Sequence, residues 1–216
     1  MPGQVKGVRR YHSPLRADQA QQTRRKVLES ARRLFVDRGY AGTTVAAVAD
    51  HAGVSPETIY LSLGGKRGLL EGVMEITGPH DSAADDDKWW QMVAELQTAP
   101  ARLDKMVEYS CRILARTRPI HAIIRGAADK EAFAADLGRR LLTERLAHQT
   151  ERIRRYLAGQ LRPGLSFRAA GERYCALASP ELYHLLTVEL AWSAEQHQEW
   201  ITRLLRSELL GSGGER

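Results

Sequence analysis

The chain contains only two cysteines, Cys111 and Cys175, far apart and neither in a Cys-x-x-Cys pair. That argues against a disulfide framework and against a zinc site, and both thiols are expected to be small buried apolar groups. Long apolar runs are missing too. Nothing approaches the roughly 18 residues of a membrane-spanning helix, and the opening segment MPGQVKGVRRYHSPLRADQ lacks the apolar centre of a secretory signal. A cytoplasmic protein with no membrane partner is the expectation. Strand signals are absent, which leaves an all-α fold. Enzyme signatures are lacking as well: the histidines are scattered, and neither His-Glu-x-x-His, Gly-x-Ser-x-Gly nor a dinucleotide fingerprint occurs. Gly64-Gly65-Lys66 is not a phosphate-binding loop, because Tyr60 occupies the place of the required earlier glycine and Arg67 follows the lysine. No catalytic residue, cofactor or metal is expected, and Asp85, Asp86 and Asp87 read as solvated carboxylates on a loop.

Apolar residues are plentiful, at 43%, enough for a globular core. Positive charge is concentrated at the front: residues 1–80 carry twelve Lys and Arg against seven Asp and Glu, while the remainder carries twenty against nineteen. Such a surplus suits a polyanion, although a solvated basic face produces the same count. Residues 1–20, with Lys6, Arg9, Arg10 and Arg16, read as a flexible basic arm.

The region 21–77 reads as a compact helical head. Val27, Leu28, Ala31, Leu34 and Phe35 recur at spacings of three and four on one face of a first helix, which Gly39 ends. Thr43 and Thr44 open a second helix, closed by His51-Ala52-Gly53, and Ser55 caps a third with Pro56 in its first turn. Two short helices joined by a tight glycine turn form a helix-turn-helix. Ala49, Gly53, Val54 and Ile59 are its scaffold: a close helix crossing, a positive-φ turn and two apolar fillers. Ser55, Pro56, Glu57, Thr58, Tyr60 and Leu61 are then left for the major groove or its walls, with Thr44 and Lys66 at helix N-termini as phosphate contacts. For Tyr60 the competing reading is a core aromatic.

Residues 78–87, GPHDSAADDD, suggest a linker, and 88–210 a helical body with segments near 88–97, 101–116, 120–128, 130–161, 167–178, 180–190 and 194–210. Prolines 100, 119, 163 and 180 mark breaks, and Ser193 with Gln196 forms a capping box. Alternating charges in the long 130–161 segment, such as Glu144, Arg145, Glu151 and Arg152, read as a solvated face. Late in the chain, Leu182, Leu185, Leu186 and Leu190 form one apolar stripe, and Trp200, Ile201, Leu204 and Leu205 another.

The run from Arg24 to Leu70, with Ala31, Leu34-Phe35, Gly39-Tyr40, Thr43-Thr44-Val45, Ala52-Gly53-Val54-Ser55, Thr58-Ile59-Tyr60 and Lys66, closely resembles the DNA-binding head of the TetR family. The resemblance implies a homodimeric regulator on a palindromic operator in double-stranded DNA, most simply a repressor released by a small-molecule effector. An activator of the same fold, or a helical interaction module without DNA binding, remains as the alternative. It also implies that Leu182, Leu185, Leu186, Trp200, Ile201, Leu204 and Leu205 form a dimer interface, where the residues alone equally allow an ordinary intrachain core. An effector pocket in the body has Trp89, Met106, Tyr109, His121, Arg125 and Tyr174 as candidate walls. Ser62, Leu63 and Gly64-Gly65 depart from the family pattern, where His or Tyr, Phe and a polar cap are usual, and weaker phosphate anchoring is the expected consequence.

Overall fold

The computed structural model describes residues 14–78 and 83–211, so most of the expected basic arm and nearly all of the GSGGER tail lie outside the described residues. Among these the chain is helical, and the only extended pairing is one isolated bridge between Leu161 and Leu210. Helix α1 spans Pro14–Arg38, starting well before the apolar periodicity does. Proline's fixed φ suits the first helical turn. Asp18 to Ala20 are exposed, so this part of the helix adds no buried position to the apolar pattern. Three short helices follow: α2 (Val45–Ala52), α3 (Pro56–Leu63) and α4 (Lys66–Thr77).

Helix α5 (Ala83–Glu95) absorbs half of the expected linker, taking Asp85, Asp86 and Asp87 into its beginning. Carboxylates in a first turn lie against the positive end of the helix dipole, so the acidic run starts a helix rather than a loop. Helix α6 (Ala99–Ala128) passes straight through Pro119, where a break was expected. An interior proline costs roughly 3 kcal/mol. Leu114, Thr117, Ile120 and Ile124 are buried on both sides of it, and each large aliphatic side chain contributes on the order of 1.5–3 kcal/mol, so the continuous face outweighs the lost hydrogen bond. Helix α7 (Ala132–Leu157) ends at the turn where Gly159 has φ 74°, short of the expected Leu161. Helix α8 spans Phe167–Leu177, and α9 (Pro180–His184) runs on into a π turn, Leu185–Glu189. Helix α10 (Ala194–Leu209) begins with the Ser193–Gln196 capping box, closed by hydrogen bonds of 2.8 and 3.2 Å.

Two apolar clusters organise these elements. One fills the head and continues into the body through Ile120, Ile124, Phe133 and Leu137 of α6 and α7. The other lies within the body and is built from α5 to α10. The head is therefore joined to the body by shared core, with Tyr40 and Phe133 ring centroids 5.4 Å apart across the junction.

Candidate nucleic-acid interface

Two adjacent threonines set the start of α2, each in its own way. Thr43 is fully buried, its hydroxyl within 3.0 Å of the Leu34 carbonyl and 2.9 Å of the Gly39 carbonyl, tying the end of α1 to the next segment. The Thr44 hydroxyl accepts from Ala47 N–H at 3.1 Å, leaving its exposed side chain at the helix N-terminus. Val45, Val48, Ala49 and Ala52 are buried, and His51 Nδ1 lies 3.0 Å from Ser30 Oγ of α1. The tie from Thr43 back to the Leu34 carbonyl and the His51–Ser30 pair escaped sequence reasoning, since no helical spacing rule links those positions.

Gly53 takes φ 66° at the turn, a region costly to any residue with a Cβ. Val54 is half-buried beneath it, and Ser55 caps α3 by accepting from Thr58 N–H at 3.4 Å. Pro56 occupies the first turn, where its missing N–H is no loss. Ile59 is fully buried, whereas its neighbours Tyr60 and Leu61 are 58% and 89% exposed. Glu57 is exposed too, and the backbone N–H and the Ser55 hydroxyl hold its carboxyl below the ordinary range. Thr58 is half-buried beside them. The outer face of α3 is thus a short, doubly capped surface with an aromatic, a large aliphatic and hydroxyl groups.

The departures at Ser62, Gly64 and Gly65 have local causes. The Ser62 hydroxyl turns back to donate to the Thr58 carbonyl at 2.6 Å. Gly64 ends α3 with φ 70°, and Gly65 follows at φ 94°, ψ −155°, a conformation essentially confined to glycine. A Cβ on Gly65 would stand 3.0 Å from Tyr60 Cε1, so the bare backbone is the seat of the Tyr60 ring. Lys66 does not reach outward: its ammonium lies 4.2 Å from the Tyr40 ring centroid and 3.5 Å from the Ala41 carbonyl. Burial lowers its pKa, with the charge of Glu131 acting in the opposite direction.

In the body, a cavity of about 490 Å³ opens between α4, α6, α7 and the start of α9. Of the six nominated wall residues, Tyr109 and His121 line it. Met106 and Tyr174 are instead fully buried in the body core, Trp89 packs its ring 6.0 Å from that of Tyr109, and Arg125 faces Glu181 at 3.9 Å. Met74 and Glu71 of α4 and Arg145, Gln149 and Arg152 of α7 line it as well. The α7 residues were missed because alternating charge reads as a solvated face. Burial, with the nearby charge of Asp86, pushes the Tyr109 phenol up to about 12. Burial, reinforced by Arg145, brings His121 down to about 4, so its ring is neutral at physiological pH.

The two late stripes divide. Ile201 and Leu205 are fully buried in the chain's own core, because α10 packs its apolar face against α6 and α8, and Leu186 is buried on the π turn; these three do not lie on the outward surface. Leu182, Trp200 and Leu204 are half-buried, and Leu185, Val188 and Leu190 are exposed.

Comparison with known proteins fits this geometry. Residues 27–73 match the family model described as bacterial regulatory proteins, tetR family. Over 68 residues the chain is 37% identical to the HTH-type transcriptional regulator TtgR of Pseudomonas putida, covering 31% of this chain and 32% of that one. A 52-residue stretch is 36% identical to the uncharacterized HTH-type regulator YvkB of Bacillus subtilis, covering 24% and 28%. The chain thus spans about a third of the curated relatives it matches. Among solved structures, NalD, described as the secondary repressor of the MexAB-OprM multidrug efflux pump in Pseudomonas aeruginosa, superposes with TM-score 0.67 at 17% identity, over 89% of this chain and 99% of that one. The SmeT–triclosan complex superposes with TM-score 0.69 at 18% identity, over 91% and 95%. These structural likenesses carry the fold, and the match over residues 27–73 is to the N-terminal head of the tetR family of bacterial regulatory proteins.

Proposed function

We propose that the protein is a homodimeric DNA-binding regulator of transcription, acting as a repressor whose hold on its operator is relieved by a small molecule in the body cavity. The carrying observation is the contrast along α3, where Ile59 is fully buried while Tyr60 and Leu61, beside it, are 58% and 89% exposed. A helix anchored on one face and bare on the other presents a rigid edge to a major groove. Ser55, Pro56, Glu57, Thr58, Tyr60 and Leu61 would make the groove contacts, and Thr44 would offer its hydroxyl and helix N-terminus to a phosphate. Lys66 would act chiefly as a brace under Tyr40. Glu57, ionised at neutral pH, disfavours phosphate and suits a cytosine amino group.

Two copies joined through Leu182, Leu185, Trp200 and Leu204 would set their α3 helices about one DNA turn apart, roughly 34 Å, and read a palindrome. Helix α4 gives the cavity a route to the head: it starts at Lys66 beside the Tyr60 seat, and its Glu71 and Met74 line the cavity. A ligand pressing on Met74 therefore bears on the element that orients α3. The repressor role named for NalD and the triclosan bound to SmeT support this reading by analogy.

The test is selection of bound DNA from a genomic pool, followed by gel shifts across ionic strength. Affinity should fall with a log–log slope of about −0.9 per phosphate neutralised, and Y60A should weaken binding by roughly 1–3 kcal/mol while leaving the fold intact. No protected site at low ionic strength would end the proposal.

A further inference from the structure

Resting on the cavity reading above, we propose that the effector is an amphipathic organic anion, its acidic head held by Arg145 beside Gln149 and its apolar body laid along Met74, Leu137 and Leu141. Arg145, Gln149 and Arg152 fall at i, i+4 and i+7 of α7 and so share one helical face, which lines the cavity. Gln149 is only 7% exposed. Its Nε2 donates to Ser110 Oγ at 3.4 Å, and its Oε1 is buried with no hydrogen-bond partner among the described residues. Arg145 Nε is likewise buried and unpartnered among them, with the weakly accepting Cys175 thiol and the neutral His121 ring near the guanidinium. Buried polar atoms are ordinarily paired, so two orphans from one helix face lining one cavity point to a ligand that supplies both.

Charge decides the sign of that ligand. Among the described residues no acid forms an ion pair with Arg145 or Arg152. Arg152 instead stacks over Trp90, 4.2 Å from the ring centroid. The lining acids of α4 are already matched, Glu71 by Arg140 and Glu75 by Arg24, and His121 is neutral. Glu144 remains, but it is exposed. Arg145 consequently faces the apolar floor with no acid paired to it among the described residues. A carboxylate accepts the Arg145 fork, and a hydroxyl or amide N–H next to it serves Gln149 Oε1.

Calorimetric titration of the full-length chain with decanoate, decanol and decyltrimethylammonium, all below their micellar concentrations, tests this. Decanoate should bind roughly tenfold or more tighter than decanol, the preference expected of a charge-assisted contact, and the ammonium weaker than either. In R145M the decanoate preference should vanish while decanol still binds, and R145K should keep part of it. Decanol or the ammonium binding as well as decanoate, or a preference that survives R145M, overturns the anionic class and leaves the cavity reading standing. If none of the three binds, the cavity reading falls with it.

Discussion

Replacing Gly65 by alanine should destabilise the protein and unseat Tyr60, and the structure supplies both parts of the cost. The backbone at φ 94°, ψ −155° lies where residues with a Cβ are strained, a penalty of about 1–3 kcal/mol. The new Cβ would also stand 3.0 Å from Tyr60 Cε1 and 3.2 Å from Cδ1, forcing the ring to shift by a few tenths of an ångström. Together these give about 2–4 kcal/mol, equivalent to a fall in melting temperature of roughly 5–15 °C for a chain of this size. Urea denaturation of G65A, Y60A and the double variant separates them. Y60A removes the ring and with it the steric part, so G65A should cost less in that background, yet still about 1–3 kcal/mol from the backbone. A G65A variant as stable as the parent would refute the account of Gly65 as a seat. Equal costs in the two backgrounds would show that the ring plays no part.

Two further outcomes follow from burial and charge. L185E, at a side chain 47% exposed, should shift sedimentation from dimer to monomer while the chain stays folded; L205E, at a fully buried one, should instead lose the folded state, and a folded L205E would contradict its placement in the core. His121 titrates near 4 in the folded chain against an ordinary value near 6.5, so the unfolded chain takes its proton first and stability declines as pH falls from about 6.5 towards 4. That decline contributes up to about 1.4 kcal/mol per pH unit; H121F should flatten it in urea titrations at pH 7, 6 and 5, and an unchanged slope would discount the burial of the ring.

Much of the head was legible because local rules coincide there. Periodicity marks the α1 face, and further along Gly53 marks the turn and Ser55-Pro56 the start of α3. Where the reading failed, a longer-range force prevailed. Pro119 looked like a stop, yet burial of Ile120 and Ile124 carries α6 through it. Asp85–Asp87 looked like loop, yet their charges suit a helix N-terminus. Ile201 and Leu205 suited a second copy or the chain's own core alike, because the sequence does not say that α6 and α8 cover α10. The cavity was the least legible part: Arg145 and Gln149 are polar residues on a charge-alternating helix, and only packing against α6 and α8 turns that face inward.

The apolar cluster that runs unbroken from α1 to α7 implies that the N-terminal helices are not an autonomous module. Severed after Gly78, they would leave bare the surface that Ile120, Ile124, Phe133 and Leu137 now cover, and the fragment would aggregate or melt far below the intact chain. Whatever tightens the rear half is therefore felt at the front as added rigidity, without any hinge between them having to bend.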